Sequence, residues 1–110
     1  MKKSDDVYRL QILDAVAKIE RFVAGLDKNS FIGAEVVQSA VIMQLAVIGE
    51  LSKRLSDGFK NKVSLPWKQI AGFRDRAIHD YYQLDLEYVW LTVRDDLPLL
   101  KNALERPPAE

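Results

Sequence analysis

The sequence has 110 residues, a length typical of one domain with a single modest core. Apolar residues make up 48 % and charged residues 29 %, and the formal net charge is zero, so no overall attraction to nucleic acid is expected. The absence of cysteine excludes disulfides, thiol nucleophiles and cysteine-type zinc sites. We expect a cytosolic protein, because the charged start lacks the apolar core of a signal peptide and no apolar run approaches the roughly 20 residues that span a bilayer.

Helical periodicity begins near the start of the chain. Apolar residues spaced by three and four form one amphipathic stripe, namely Ile12, Val16, Ile19, Val23 and Leu26. An adjacent stripe contains Val7, Leu10, Leu13 and Ala17. We expect Ser4, Asp5 and Asp6 to supply the N-terminal cap of this first helix and favourable charges at its dipole, and Gly25 with the polar residues 27–30 to close it.

Three further helices are predicted downstream. The second runs from about residue 33 to 55 and is ended by Ser56-Asp57-Gly58, after which residues 59–65 form a basic, irregular connection. The third opens at Pro66-Trp67, with Ser64 or Leu65 at its cap, and ends near Gln83. The fourth is capped by Asp85 and reaches Leu104, and Pro98 should kink or divide it near Leu97.

This pattern predicts an all-α fold, an antiparallel bundle of four to five helices that forms one domain over residues 1–110, with residues 106–110 as a frayed tail. The first two helices carry wider apolar faces than a small monomeric bundle needs. The excess indicates a dimer interface between helices, or equally a larger shared core.

Charge is distributed unevenly along the chain. Residues 53–76 carry seven basic and two acidic side chains, whereas residues 77–110 carry seven acidic and three basic ones. The basic stretch includes Lys60, Lys62 and Lys68 and leads directly to the only histidine, His79. Such a patch either contacts phosphates or is a solvated loop between helices.

His79 is the one side chain whose ordinary pKa lies near neutrality, so it is the first candidate for acid–base chemistry. On an ideal helix, Asp75 and His79 share one face, whereas Arg74 and His79, five residues apart, lie about 140° apart around the axis. Arg74 and His79 therefore meet only if the arginine swings round, the helix is distorted, or a second subunit takes part. Arg76 and Asp80 fit an ordinary ion pair one turn apart.

The run Arg74-x4-His79-x-Tyr81 resembles the motif of the HepT-like toxins, a branch of the HEPN ribonucleases. Residues 40–50, which end in Ile-Gly-Glu, and residues 65–74, which begin with Leu-Pro-Trp, are similar to the family's segments before the motif. Trp90 and Leu97-Pro98 fit its last helix, so the resemblance covers roughly residues 5–105.

The resemblance implies a HEPN-like bundle and a metal-independent endoribonuclease without a cofactor, acting on tRNA or mRNA. The ribose 2′-OH attacks the adjacent phosphodiester, which leaves a 2′,3′-cyclic phosphate and a 5′-OH. His79 then transfers protons and Arg74 holds the phosphate, since a guanidinium pairs with two phosphate oxygens. Asp75, where the family usually has asparagine, is expected to orient the imidazole or raise its pKa. Arg76, Lys60, Lys62 and Lys68 are expected to bind RNA.

A single histidine per chain has a consequence for assembly. Because the reaction needs both a base and an acid, a homodimer with two His79 and two Arg74 side chains in one cleft is expected. The family resemblance points to the same arrangement.

The resemblance also implies a partner, a minimal nucleotidyltransferase antitoxin of the MntA type that transfers AMP from ATP to Tyr81 and so blocks RNA access. The protein would then be the toxin of a type VII-like pair. Two roles remain open for Tyr82, packing or base stacking, and two for Glu50, a buried partner of the motif helix or a solvated residue.

Two other functions compete with this hypothesis. One is a noncatalytic HEPN-like helical module that binds a nucleotidyltransferase or RNA. The other is a metal enzyme, which is disfavoured because only carboxylate ligands such as Asp95 and Asp96 would be left to bind the ion.

Overall fold

Helices account for all regular structure in residues 3–83 and 85–107, the residues that this computed structural model describes, and no strand occurs among them. The helices are α1 (Lys3–Val23), α2 (Lys28–Ile32), α3 (Glu35–Arg54), α4 (Asp57–Lys62), α5 (Trp67–Ala71), α6 (Phe73–Tyr82), α7 (Leu86–Leu91) and α8 (Leu97–Leu104), with a π-helical turn at Thr92–Asp96 between the last two. The predicted all-α class is confirmed. The predicted tail falls partly on residues 108–110, which lie outside the described residues.

Two segments predicted as connections are helical instead. Asp27 caps α2, accepting a hydrogen bond from the Ser30 backbone N–H at 2.8 Å. The helix α3 ends before Ser56 as expected, and Ser56 also caps α4 through its hydroxyl, which accepts from the Phe59 N–H at 3.2 Å. Serine and aspartate begin helices as readily as they follow them, and the burial of Phe31 and Phe59 in the core favours a helix in both segments.

The predicted third helix is divided at Gly72 into α5 and α6, and Pro66 stands at the cap in place of Ser64 or Leu65. Gly49 of α3 packs directly on the end of α5. A Cβ at Gly49 would lie 3.0 Å from the Ala71 carbonyl oxygen and 3.3 Å from that of Ile70. The missing side chain therefore lets α3 approach the backbone immediately before α6.

Contacts between the ends of helices make α1 antiparallel to both α3 and α8. Asp5, near the start of α1, accepts hydrogen bonds from the backbone and hydroxyl of Ser56, which follows α3. Arg9 donates to the carbonyl oxygen of Leu104 at the end of α8, at 2.7 Å. Ser4 lies within α1 and Asp5 is buried against Ser56, so the expected cap is not formed by these two residues. The acidic charges expected at the start of the helix are confirmed, since Asp5 and Asp6 lie in its first turn.

The core forms where the first apolar stripe of α1 meets α3, α6 and α8. The residues buried on these helices include Ile12, Val16, Ile19, Val41, Leu45, Ile48, Phe73, Ala77, Leu97, Leu100 and Leu104. The second stripe of α1 contributes less, since Val7 and Leu10 are exposed, as are Val36 and Met43 of α3. A larger shared core therefore does not account for these four residues.

Pro98 affects its helix as predicted. The regular α-helix ends at Leu91, the π-helical turn Thr92–Asp96 follows, and α8 resumes at Leu97 with Pro98 in its first turn. A proline is tolerated there because its missing N–H would have no partner within the helix.

The helix α3 is long and apolar enough to span a membrane by length and composition alone, with a mean hydropathy of 1.3, contrary to the expectation from the sequence. The core helix of a soluble protein can be equally long and apolar. In this fold α3 packs against α1, α5 and α6.

Candidate active site

The helix α6 carries the motif on its solvent-facing side. Phe73, Ala77 and Asp80 are spaced by four and three and are buried, which fixes the rotation of the helix against α3. The remaining motif residues are therefore directed outward. Arg74, Asp75, Arg76, Ile78, His79 and Tyr82 are exposed, and Tyr81 is half-buried.

Arg74 pairs with its neighbour Asp75 rather than with His79. The Arg74 Nη1 atom donates to Asp75 Oδ1 at 3.3 Å, and the two side chains are 54 % and 81 % exposed. In this structure the Asp75 carboxylate is turned to the guanidinium and not to the imidazole that it is expected to serve. An exposed pair of this kind contributes little to stability.

The carboxylate beside the imidazole belongs to Asp80. Its Oδ1 atom lies 3.6 Å from His79 Nδ1, and its Oδ2 atom accepts a hydrogen bond from Arg76 Nε at 3.2 Å. The Asp80 side chain is 8 % exposed, whereas that of His79 is 71 % exposed. The predicted Arg76–Asp80 pair is thus confirmed. It holds a buried negative charge directly under an imidazole that solvent can reach.

Arg74 and His79 are not joined by a hydrogen bond or ion pair, although both lie in the described part of the chain. The helix α6 is regular, so the spacing problem seen in the sequence persists in the protomer. Tyr82 is 83 % exposed, so it does not pack in the core of the protomer. Glu50 is exposed and pairs with Lys53 at 3.2 Å, as the solvated alternative predicted.

A groove of about 480 Å³ opens beside Arg76 and is called the Tyr88 groove below. It is lined by Gln69, Gly72, Phe73, Arg76, Tyr88, Leu91, Thr92, Asp95 and Asp96. The Arg76 guanidinium lies over the Tyr88 ring, 5.2 Å from its centroid, a distance typical of a cation–π contact.

The two carboxylates in the Tyr88 groove differ. Asp95 is bonded to Arg94 at 2.9 and 3.2 Å, and the hydrogen bonds from this guanidinium lower its pKa. Asp96 has no hydrogen bond or ion pair to any described residue. Burial raises the pKa of Asp96, and the charge of Asp95 raises it further, while Arg76 partly opposes the shift.

Of the predicted RNA-binding lysines, Lys62 and Lys68 are exposed and Lys60 is half-exposed. None of the three forms an ion pair with the described residues. Within residues 3–83 and 85–107, no group of three or more histidine, aspartate or glutamate side chains is arranged to hold a metal ion.

Residues 12–107, a span that contains the whole motif helix and both sides of the Tyr88 groove, match the family described as ribonuclease HepT-like. The chain belongs to this family. The expected enzyme class, ribonuclease, is thereby confirmed.

Individual relatives extend the similarity over nearly the whole chain. A protein named as a probable ribonuclease HepT from Thermococcus cleftensis is 36 % identical over 107 residues, 96 % of this chain and 97 % of the relative. A candidate RNase from Methanocaldococcus jannaschii is 31 % identical over 105 residues, 94 % and 96 % of the two chains. No solved structure matches significantly.

Two site residues were missed by the sequence reasoning. Asp80 was treated only as a partner of Arg76, although a carboxylate directly after the sole histidine was a visible signal. Tyr88 gave no signal at all, because nothing in the sequence shows that the start of α7 packs beside Arg76.

Proposed function

We propose that this chain is the toxin of a toxin–antitoxin pair and acts as a metal-independent endoribonuclease on tRNA or mRNA. One observation carries the proposal: the family's motif lies on a solvent-facing helix surface, where Arg74 and His79 are both open to an RNA backbone. A ribonuclease that uses the 2′-OH needs proton transfer and cations at the phosphate, and these two side chains supply both.

The geometry of His79 suits proton transfer. With Asp80 3.6 Å from Nδ1, the imidazole has a negative neighbour on one side, which leaves Nε2 for the 2′-OH or the leaving 5′-oxygen. Asp80 is the positioning residue in this arrangement. The hydrogen bond from Arg76 holds the Asp80 carboxylate in place, and the other carboxylate oxygen still faces the imidazole.

Arg74 can release the Asp75 carboxylate and bind an RNA phosphate in its place. Its exposed pair with Asp75 is weak, so a phosphate that offers two oxygens competes well for the guanidinium. Lys60, Lys62, Lys68 and Arg76 then supply further positive charge along the path of the RNA.

A homodimer completes the site in this proposal. Each chain has one histidine, so base and acid come from two copies of His79 in one cleft. Exposed apolar side chains support an interface, since Ile78 and Tyr82 lie on the motif face and Val36 and Met43 lie on α3.

Light scattering should give a dimer at micromolar concentration. Met43→Lys should dissociate it, whereas Leu99→Lys, at a similarly exposed apolar residue of α8, should leave it intact.

The antitoxin is proposed to be a nucleotidyltransferase that modifies Tyr81. The phenol oxygen attacks the α-phosphate of ATP, pyrophosphate leaves, and the phenol proton passes to solvent. The added phosphodiester places a negative charge on the helix that carries Arg74, where it competes with RNA. Intact-mass measurement after co-expression should show AMP-sized additions. They should disappear in Tyr81→Phe and persist in Tyr82→Phe.

Cleavage of RNA is the decisive experiment. Purified, unmodified protein is incubated with total tRNA or mRNA, with and without EDTA, and the new ends are mapped. We expect EDTA-insensitive cleavage with 2′,3′-cyclic phosphate and 5′-OH ends, abolished in His79→Ala and Arg74→Ala but retained in Arg21→Ala, an exposed arginine of α1. Intact RNA with folded wild-type protein would contradict the proposal.

A second function is favoured by one observation, the Arg74–Asp75 ion pair, which reduces the charge available to phosphate. On this alternative the chain is a noncatalytic module that binds RNA or a nucleotidyltransferase. Retention of RNA in a binding assay without any cleavage would support it over the ribonuclease.

A further inference from the structure

Resting on the proposed ribonuclease activity, we propose that the Tyr88 groove binds one unstacked base of the RNA, next to the phosphodiester that is cut, and that it selects guanine. Arg76 links the groove to the motif. It lies three residues before His79 on α6, so their Cβ atoms are about 5–6 Å apart. The same guanidinium contacts Asp80 under the imidazole and the Tyr88 ring in the groove.

The shape and lining of the groove suit a flat heterocycle. Its volume of about 480 Å³ falls within the range of roughly 300–1,000 Å³ typical of small-molecule sites. Tyr88 is half-exposed and carries the exposed Arg76 guanidinium over its ring, so a base can stack on this guanidinium plane while the ribose and phosphate stay outside. The carboxylate of Asp96 repels phosphate, which favours entry of the base rather than of the backbone.

Asp96 provides the selectivity. Its carboxylate lines the groove and has no partner among the described residues, so both oxygens are available as acceptors. The Watson–Crick edge of guanine presents two adjacent donors, the N1–H and the 2-amino group. Adenine and cytosine present one amino donor beside an acceptor nitrogen, and uracil presents one N–H between two carbonyls. Guanine alone pairs with both carboxylate oxygens.

The local backbone supports a site here. Thr92–Asp96 form a π-helical turn, a distortion that is frequent at functional sites. Arg94 neutralises Asp95 in this turn and leaves Asp96 unpaired. Gln69 stands on the α5 side of the same groove and offers an amide N–H for the 6-oxo group of guanine.

The test uses short RNAs of one sequence that carry guanine or inosine on either side of a single cleavage site. Inosine lacks only the 2-amino group. We expect wild-type protein to cleave the guanine RNA about 5- to 150-fold faster at limiting concentration, the range for one bidentate base contact. Asp96→Asn should lose this difference, Tyr88→Leu should raise KM for both RNAs, and Asp14→Asn, an exposed carboxylate of α1, should behave as the wild type.

A binding measurement separates this inference from the proposed activity. The same RNAs with a 2′-deoxyribose at the cut cannot react, and their affinity is followed by fluorescence anisotropy. Equal affinity and equal cleavage of the guanine and inosine RNAs, or an unchanged preference in Asp96→Asn, would overturn the inference and leave the ribonuclease intact. Guanine-selective binding without any cleavage would support the groove and contradict the ribonuclease. Binding of neither RNA would overturn the inference.

Discussion

At the scale of single residues, burial decides which carboxylate lies beside the histidine. Asp75 and Asp80 both lie near His79 along α6, and the helical spacing favoured Asp75 because it is one turn away. The structure turns Asp75 to solvent and Arg74, and it buries Asp80 with an oxygen 3.6 Å from the imidazole. A buried charge needs partners, and Arg76 and His79 are the ones at hand.

The first prediction follows from the Arg74–Asp75 pair. Asp75→Asn removes a carboxylate that competes with phosphate for the guanidinium, so we expect KM for RNA to fall by about two- to fivefold, as for loss of a weak surface pair. Asp80→Asn, by contrast, should lower kcat, because the imidazole loses its positioning charge. Steady-state cleavage kinetics distinguish the two. A fall in activity in Asp75→Asn would show that its carboxylate is needed.

The second prediction concerns Asp96 and pH. Because its pKa is raised in the folded protein, the ionised form is disfavoured by folding, and stability is lost as pH rises through the ordinary value of 3.8 and the raised value. Asp96→Asn should therefore raise the melting temperature at neutral pH and have little effect below the ordinary pKa. Thermal unfolding between pH 3 and 7 measures this. A mutant that is less stable than the wild type at pH 7 would contradict the argument.

At the scale of elements, α6 is placed by a contact between backbones. Gly49 of α3 packs against the Ile70 and Ala71 carbonyls, and Gly72 is the cap at which the motif helix α6 begins. A long helix through residues 66–83, as the sequence predicts, would carry the same residues without this break. The rotation of the motif relative to α3 thus depends on a glycine more than twenty residues earlier.

The third prediction tests this contact. Gly49→Ala places a Cβ 3.0 Å from the Ala71 oxygen, so α5 must move or the core must loosen. We expect a loss of about 1–3 kcal/mol in the free energy of unfolding by denaturant titration, together with reduced activity. Gly58→Ala is the matched control, because a Cβ there meets only the Ser56 hydroxyl, at 3.9 Å. Equal stability of the two variants would show that the α3–α5 contact is adaptable.

At the scale of the whole molecule, one protomer exposes the motif residues but does not by itself form the proposed cleft. Arg74 and His79 lie on one exposed surface, yet nothing within the described chain brings them together. Exposed apolar side chains remain on α1, α3 and α6. A second copy would supply the missing half of the proposed cleft and cover part of that surface.

The fourth prediction measures the sharing of the cleft. Wild-type and His79→Ala chains are mixed in equal amounts and allowed to exchange subunits. If both copies of His79 serve one cleft, only wild-type pairs are active and activity falls to about a quarter of the all-wild-type value. If each protomer acts alone, it falls to about a half. Activity near one half in a sample shown to have exchanged would contradict the shared cleft.

The sequence by itself determined the helical class, the first stripe of α1 as core, the division of the last helix at Pro98, and the motif Arg74, His79 and Tyr81. These features depend on local periodicity, on the backbone chemistry of proline, and on residue types that are readable along the chain. Only the tertiary structure decided the helical nature of residues 28–32 and 57–62, the choice of Asp80 over Asp75, and the return of Tyr88 to Arg76. Each of these depends on which surfaces become buried, and burial is set by contacts between residues distant in sequence.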